Sequence, residues 1–134
     1  MLRGMPRARI LLVDDSETVL LIVQAALAAE FEVETAEDGV TALEQARSSP
    51  PDLVVTDSLM PGLDGFGLLE ALERAPETHG VPVIILTSEE APGRPANADA
   101  VQPAAIVLKS MDMSPLIHAI HAALRTGGPP QPGR

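Results

Sequence analysis

The chain has 134 residues, enough to bury the core of one domain, and a formal net charge of −10 that argues against nucleic acid or an anionic membrane as a direct partner. It has no cysteine, which excludes disulfides and thiolate metal sites and fits a cytoplasmic home. Phe31 and Phe66 are the only aromatic residues, so the core must be built from Leu, Ile, Val, Met and Ala.

Residues 1–8 read as an N-terminal extension to a domain spanning 9–125. The opening is basic and then apolar. Its apolar run, Ile10 to Val13, meets two carboxylates too soon for a signal sequence or a membrane span. Arg9–Val13 is the first predicted strand, and Ser16-Glu17-Thr18 starts a helix carrying Val19, Leu20, Ile22, Val23, Ala26 and Leu27 at helical spacing. Phe31–Ala36 alternates apolar and polar, as a strand near a sheet edge does. A helix over Gly39–Ser49, with Val40, Leu43 and Ala46 on one period, stops at Pro50-Pro51. Leu53–Thr56 is a buried strand ending at Asp57, MPGLDG a loop, and Phe66–Arg74 a helix. Val81–Leu86 and Ala104–Leu108 are further apolar runs, read as buried strands. Ser114-Pro115 reads as the cap and first residue of a last helix with Leu116, Ile117, Ile120 and Leu124 on one stripe, and 126–134 as a disordered Gly/Pro-rich tail.

Five strands alternating with helices, several apolar throughout, predict an α/β domain with a parallel sheet covered on both faces. Such a sheet binds its ligand beyond the carboxyl ends of the strands, where strand order reverses. Asp14 and Asp15 close the first strand, Asp57 the third, Thr87 the fourth and Lys109 the fifth. Carboxylates converging in one cleft repel unless a cation sits among them, and a set of oxygen ligands without His or Cys selects Mg²⁺. A hydroxyl from Thr87 and an ammonium from Lys109 supply what a phosphoryl group needs, and a carboxylate beside Mg²⁺ can itself attack phosphorus. Lys109 is the only lysine among nine cationic residues, at a place where a compact ammonium serves better than a guanidinium.

The segments ILLVDDSE, VVTDSLMPGLDG, VIILTS and IVLKS resemble the response-regulator receiver domain of two-component signalling, over residues 9 to about 125. The pattern Asp-x-x-Met-Pro-x-x-Asp-Gly, from Asp57 to Gly65, carries the likeness most specifically. The resemblance implies a flavodoxin-like, doubly wound (βα)5 fold with strand order 2-1-3-4-5. It implies Asp57 as phosphoacceptor. Mg²⁺ would be held by Asp15 directly, by Asp14 mainly through water, by Asp57, and by the backbone carbonyl of Leu59. Thr87 would be the hydroxyl that turns inward to the phosphoryl group, and Lys109 would pair with Asp57 at rest. The donor would be a phosphohistidine on a sensor histidine kinase or a histidine phosphotransfer protein. Output would pass through contact with a downstream protein, and homodimers form in the family through the fourth helix, fifth strand and fifth helix.

The output side departs from the family. Between Thr87 and Ala104, Pro92 and Pro95 predict a shortened or irregular fourth helix, confined to about Ala96 to Val101. Pro103-Ala104 replaces Gly-Ala, and Ile106 occupies the position of the switch aromatic, either as buried core or as a sign that the usual coupling is absent. Ser110 follows Lys109 in place of proline, which should loosen the turn that aims the lysine, and Leu59 and Glu89 stand at the mouth of the site. His118 and His121 read as an exposed pair on the last helix. Three readings follow: a stand-alone phosphoacceptor receiver, a degenerate receiver serving as a phosphorylation-independent interaction module, and a phosphohydrolase of the haloacid-dehalogenase type. The last wants an Asp-x-Asp pattern after the first strand, where this chain has Asp14-Asp15-Ser16.

Overall fold

A computed structural model of the chain describes residues 7–88 and 101–126. Within them run β1 (Arg9–Val13), α1 (Glu17–Leu27), β2 (Glu32–Ala36), α2 (Gly39–Ser48), β3 (Leu53–Thr56), α3 (Gly65–Arg74), β4 (Val83–Thr87), β5 (Ala105–Leu108) and α4 (Ser114–Thr126). All five strands pair in parallel in the order β2-β1-β3-β4-β5.

Alternation along each strand decides which layer a side chain joins. Ile10, Leu12, Leu53, Val55, Ile84 and Leu86 point to one face and pack with Leu20, Val23 and Leu27 of α1 and Leu116 and Ile120 of α4. Leu11, Val13, Val54, Val83 and Ile85 point to the other, against Ala42 and Ala46 of α2 and Phe66, Leu68, Leu69 and Leu72 of α3. Because β1, β3 and β4 are covered on both sides, they carry unbroken apolar runs over Ile10–Val13, Leu53–Val55 and Val83–Leu86. Strand β2 lies at one edge and keeps its alternation, as expected.

Several boundaries shift. β2 begins at Glu32 rather than Phe31, and β4 at Val83 rather than Val81. On α1, Leu21 and Ile22 are exposed, and on α2 so is Val40, because the buried stripes run through Leu20–Val23–Leu27 and Ala42–Ala46 instead. β5 is not the buried run expected of Ala104–Leu108. It is the other edge strand: Ala105 and Val107 pack on the α4 side, while Ile106 and Leu108 are 37% and 46% exposed. Ser114 is the first residue of α4 rather than its cap, and its N–H donates to the Asp112 carboxylate at 3.0 Å. Thr126 closes α4, so the tail expected from 126 can begin only after it. The rest of that tail, residues 1–6 of the N-terminal extension, Glu89, and the predicted fourth helix over 96–100 lie outside the described residues. Among the described residues, no helix is long and apolar enough to cross a membrane.

Candidate functional site

In the order β2-β1-β3 the direction in which successive strands are added reverses between β1 and β3, and their carboxyl ends open into one crevice. Asp14 follows β1 and is 2% exposed. One of its oxygens accepts the Ser16 N–H at 2.9 Å; the other meets Lys109 Nζ at 2.9 Å. Ser16 itself caps α1, its hydroxyl accepting from the Val19 N–H at 3.2 Å. The start of α1 therefore fixes the Asp14 carboxylate.

Asp57 follows β3, and its N–H donates to the Val13 carbonyl at 2.9 Å, which ties the two strand ends together. Carboxylate oxygens of Asp14, Asp15 and Asp57 all lie within 4.8 Å of one another. Asp14 and Asp57 are buried, whereas Asp15 is exposed at the rim. Burial pushes the Asp57 carboxyl above its ordinary value and the Asp14 charge pushes it further; Lys109 and the backbone N–H groups of Leu59 and Ser58 pull back without cancelling this. An all-carboxylate set with one member so strained by its neighbour fits a hard divalent cation such as Mg²⁺.

Lys109 stands where β5 ends, held by its N–H donating to the Thr87 carbonyl at 2.7 Å. Its ammonium pairs with Asp57 at 3.5 Å, as expected, and also with Asp14 at 2.9 Å, the nearer of the two. Burial draws this ammonium down, but the hydrogen bond and charge of Asp14, with Asp57 behind it, leave it above its ordinary value. The turn after it is held without proline: the Ser110 hydroxyl accepts from the Asp112 N–H at 3.1 Å, and Asp112 in turn receives Ser114.

Thr87 closes β4 and is buried, and its hydroxyl is 2.7 Å from that of Ser58. Sequence reasoning passed over Ser58, since a serine after a strand-end aspartate reads as an ordinary loop residue. The one available signal was its place between two residues of the motif. Leu59 brings its backbone N–H to Asp57 and leaves its side chain exposed. Gly65 is required by close approach: a Cβ there would sit 2.2 Å from the Asp57 carbonyl oxygen. Far from this crevice, His118 is exposed as expected. His121 is not: it is half-buried, its ring 5.6 Å from that of Phe31 and its Nε2 3.0 Å from Glu30.

The strand order, the carboxylates at the switch point, and the hydroxyl and ammonium on the next strand ends are those of a phosphoacceptor signalling fold. The chain belongs to the response regulator receiver domain family, whose model matches residues 10–121. It is 44% identical over 87 residues to the response regulator PleD of Caulobacter vibrioides, covering 64% of this chain and 19% of that protein. It is 34% identical to the transcriptional activator protein IrlR of Burkholderia pseudomallei, covering 89% of this chain and 51% of that one. With protein PilH of Pseudomonas aeruginosa it shares 42% identity, over 62% of this chain and 69% of PilH. The chain thus spans about a fifth of PleD and half of IrlR. Among solved structures, chemotaxis protein CheY4 of Vibrio cholerae superposes with a TM-score of 0.78 at 30% identity, over 87% of this chain and 98% of CheY4. The receiver domain of the Pseudomonas aeruginosa sensor histidine kinase PA1611, solved with magnesium coordinated in its active-site cleft, matches with a TM-score of 0.79 over 89% of this chain and 98% of that one; at 22% identity it speaks for the fold alone.

Proposed function

We propose that this receiver domain takes a phosphoryl group onto Asp57 from the phosphohistidine of a sensor histidine kinase or phosphotransfer protein, in the cytoplasm, and signals by contact with a downstream protein. The observation that carries the reading is the convergence of Asp14, Asp15 and Asp57 within 4.8 Å, with the Lys109 ammonium bridging two of them. Asp14, Asp15, Asp57 and the Leu59 carbonyl would hold Mg²⁺. When bound, the ion neutralises carboxylate and phosphoryl oxygens as charge gathers between them.

The chain's own residues do the rest. A carboxylate oxygen of Asp57 forms the new P–O bond as the P–N bond to the donor imidazole breaks, and the electron pair leaves with that nitrogen. Lys109 is already 3.5 Å from Asp57 and serves a phosphoryl oxygen in its place once the carboxylate has become an acyl phosphate. Thr87 offers a hydroxyl from the neighbouring strand end. Positioning and charge account for the rate, and because the phosphoryl group ends on its own Asp57 the protein acts as a participant in the transfer rather than as an enzyme on an outside substrate.

Incubation with Mg²⁺ and acetyl phosphate should yield a base-labile phosphoprotein with one added group, and Asp57→Asn should abolish it. An unmodified wild-type protein, or modification that survives Asp57→Asn, overturns the assignment.

A further inference from the structure

Two hydroxyls meet where β3 and β4 end. Ser58 follows Asp57 by one residue, Thr87 ends the adjacent strand β4, and their oxygens are 2.7 Å apart. Both residues are buried, at 2% and 1% exposure, so this bond forms where water is a poor substitute partner. Thr87 is also β-branched, with few side-chain rotamers to choose from. Whichever oxygen donates, the bond favours the rotamer that faces Ser58.

We propose that Ser58 is a positioning residue that anchors Thr87 in its resting orientation, so that the Ser58–Thr87 bond must be given up for Thr87 to turn to a phosphoryl oxygen on Asp57. This rests on the reading of Asp57 as phosphoacceptor. Ser58 touches no reacting atom with its side chain. It sets the free energy from which the switch begins, and the identity of the residue after the phosphoacceptor thereby tunes how readily the domain adopts its phosphorylated form.

The test uses beryllofluoride, a mimic of a phosphoryl group on a carboxylate, titrated with Mg²⁺ present. Ser58→Ala removes a bond made only at rest and should tighten beryllofluoride binding about three- to tenfold, the worth of one net hydrogen bond. In a Thr87→Val background, where no hydroxyl remains to be anchored, the same change should shift affinity less than twofold. A purely structural Ser58 would not show that dependence on Thr87. Ser58→Cys, which keeps the volume and weakens the bond, should act in the same direction and decides the matter if the alanine variant does not fold. Unchanged or weaker binding in the Ser58 variants, or an equal gain in the Thr87→Val background, overturns the proposal. Failure of the wild-type chain to bind beryllofluoride at all would instead overturn the phosphoacceptor reading, and this inference with it.

Discussion

Lys109 reaches two carboxylates at unequal distances, and the nearer is the more buried one: the Asp14 side chain is 3% exposed and that of Asp57 11%. Asp14 cannot escape to water, so removing the ammonium leaves a buried charge facing a second one. Lys109→Ala should cost about 1–3 kcal/mol of stability in metal-free buffer, less than a wholly buried pair because the lysine side chain is 23% exposed. Mg²⁺ should recover more of the melting temperature in the variant than in the wild type; equal gains would contradict the pairing. Asp57 behaves in the opposite sense. Burial and Asp14 raise its carboxyl above the free value of 3.8, so the folded chain holds that proton more tightly than the unfolded one. Its contribution to stability is present below the ordinary carboxylate range and is lost as pH rises through the raised folded value. At neutral pH the ionised group weakens the fold. Asp57→Asn should therefore raise the melting temperature of metal-free protein at pH 7, with the gain shrinking as pH falls toward 3.8 and vanishing in Mg²⁺. A variant no more stable than wild type at pH 7 would show that the strain is absent.

The loop from β3 to α3 is shaped by what its neighbours lack. Gly65 N–H donates to the Ser58 carbonyl at 3.1 Å, and a side chain at Gly65 would collide with the Asp57 carbonyl, which is backbone and cannot rotate away. Gly65→Ala should destabilise the domain by about 1–3 kcal/mol and displace Asp57 from its partners, measured by denaturant unfolding together with acetyl phosphate labelling. Labelling at the wild-type rate would mean that the loop has slack. The β5–α4 turn shows the reverse economy. Without proline after Lys109, Ser110 and Asp112 each accept a backbone N–H two residues on, and the strand end is tied to Thr87 through the Lys109 N–H. Hydrogen bonds thus span the turn where the family's proline is missing.

For the molecule as a whole, three carboxylates of a chain with net charge −10 share one crevice, and a cation held there would link metal binding to folding. Each tenfold rise in Mg²⁺ above its dissociation constant should add about 1.4 kcal/mol of stability, and Asp15→Asn should flatten that dependence. A melting temperature indifferent to Mg²⁺ would argue that the carboxylates do not hold it. Much of this site was legible in advance, because a parallel strand covered on both faces writes an unbroken apolar run whose end is marked by polar residues: Asp14 after Val13, Thr56-Asp57 after Val55, and Thr87 after Leu86. Edge strands are less transparent. Ile106 and Leu108 looked buried because hydrophobicity alone does not say whether a second layer lies over an edge, and β5 is packed on the side of Ala105 and Val107. Pairings were the least visible part. That Lys109 lies closer to Asp14 than to Asp57, and that Ser58 meets Thr87, depends on tenths of an ångström between strand ends far apart in sequence.

Helices α2 and α3 open alike, with Asp38-Gly39 and Asp64-Gly65, each aspartate accepting an N–H three residues on, at 2.7 and 2.8 Å. Glycine is a poor helix former, about 1 kcal/mol below alanine in a helix interior, so both positions invite replacement in any effort to make the protein more robust. Yet a Cβ at Gly39 would lie 2.4 Å from the Leu63 carbonyl, as one at Gly65 would from that of Asp57. Local helix propensity is set aside at two glycines that pass close to the backbone between Asp57 and Leu63. A thermostabilisation campaign guided by propensity would choose these glycines early and dismantle the candidate site while improving its helices.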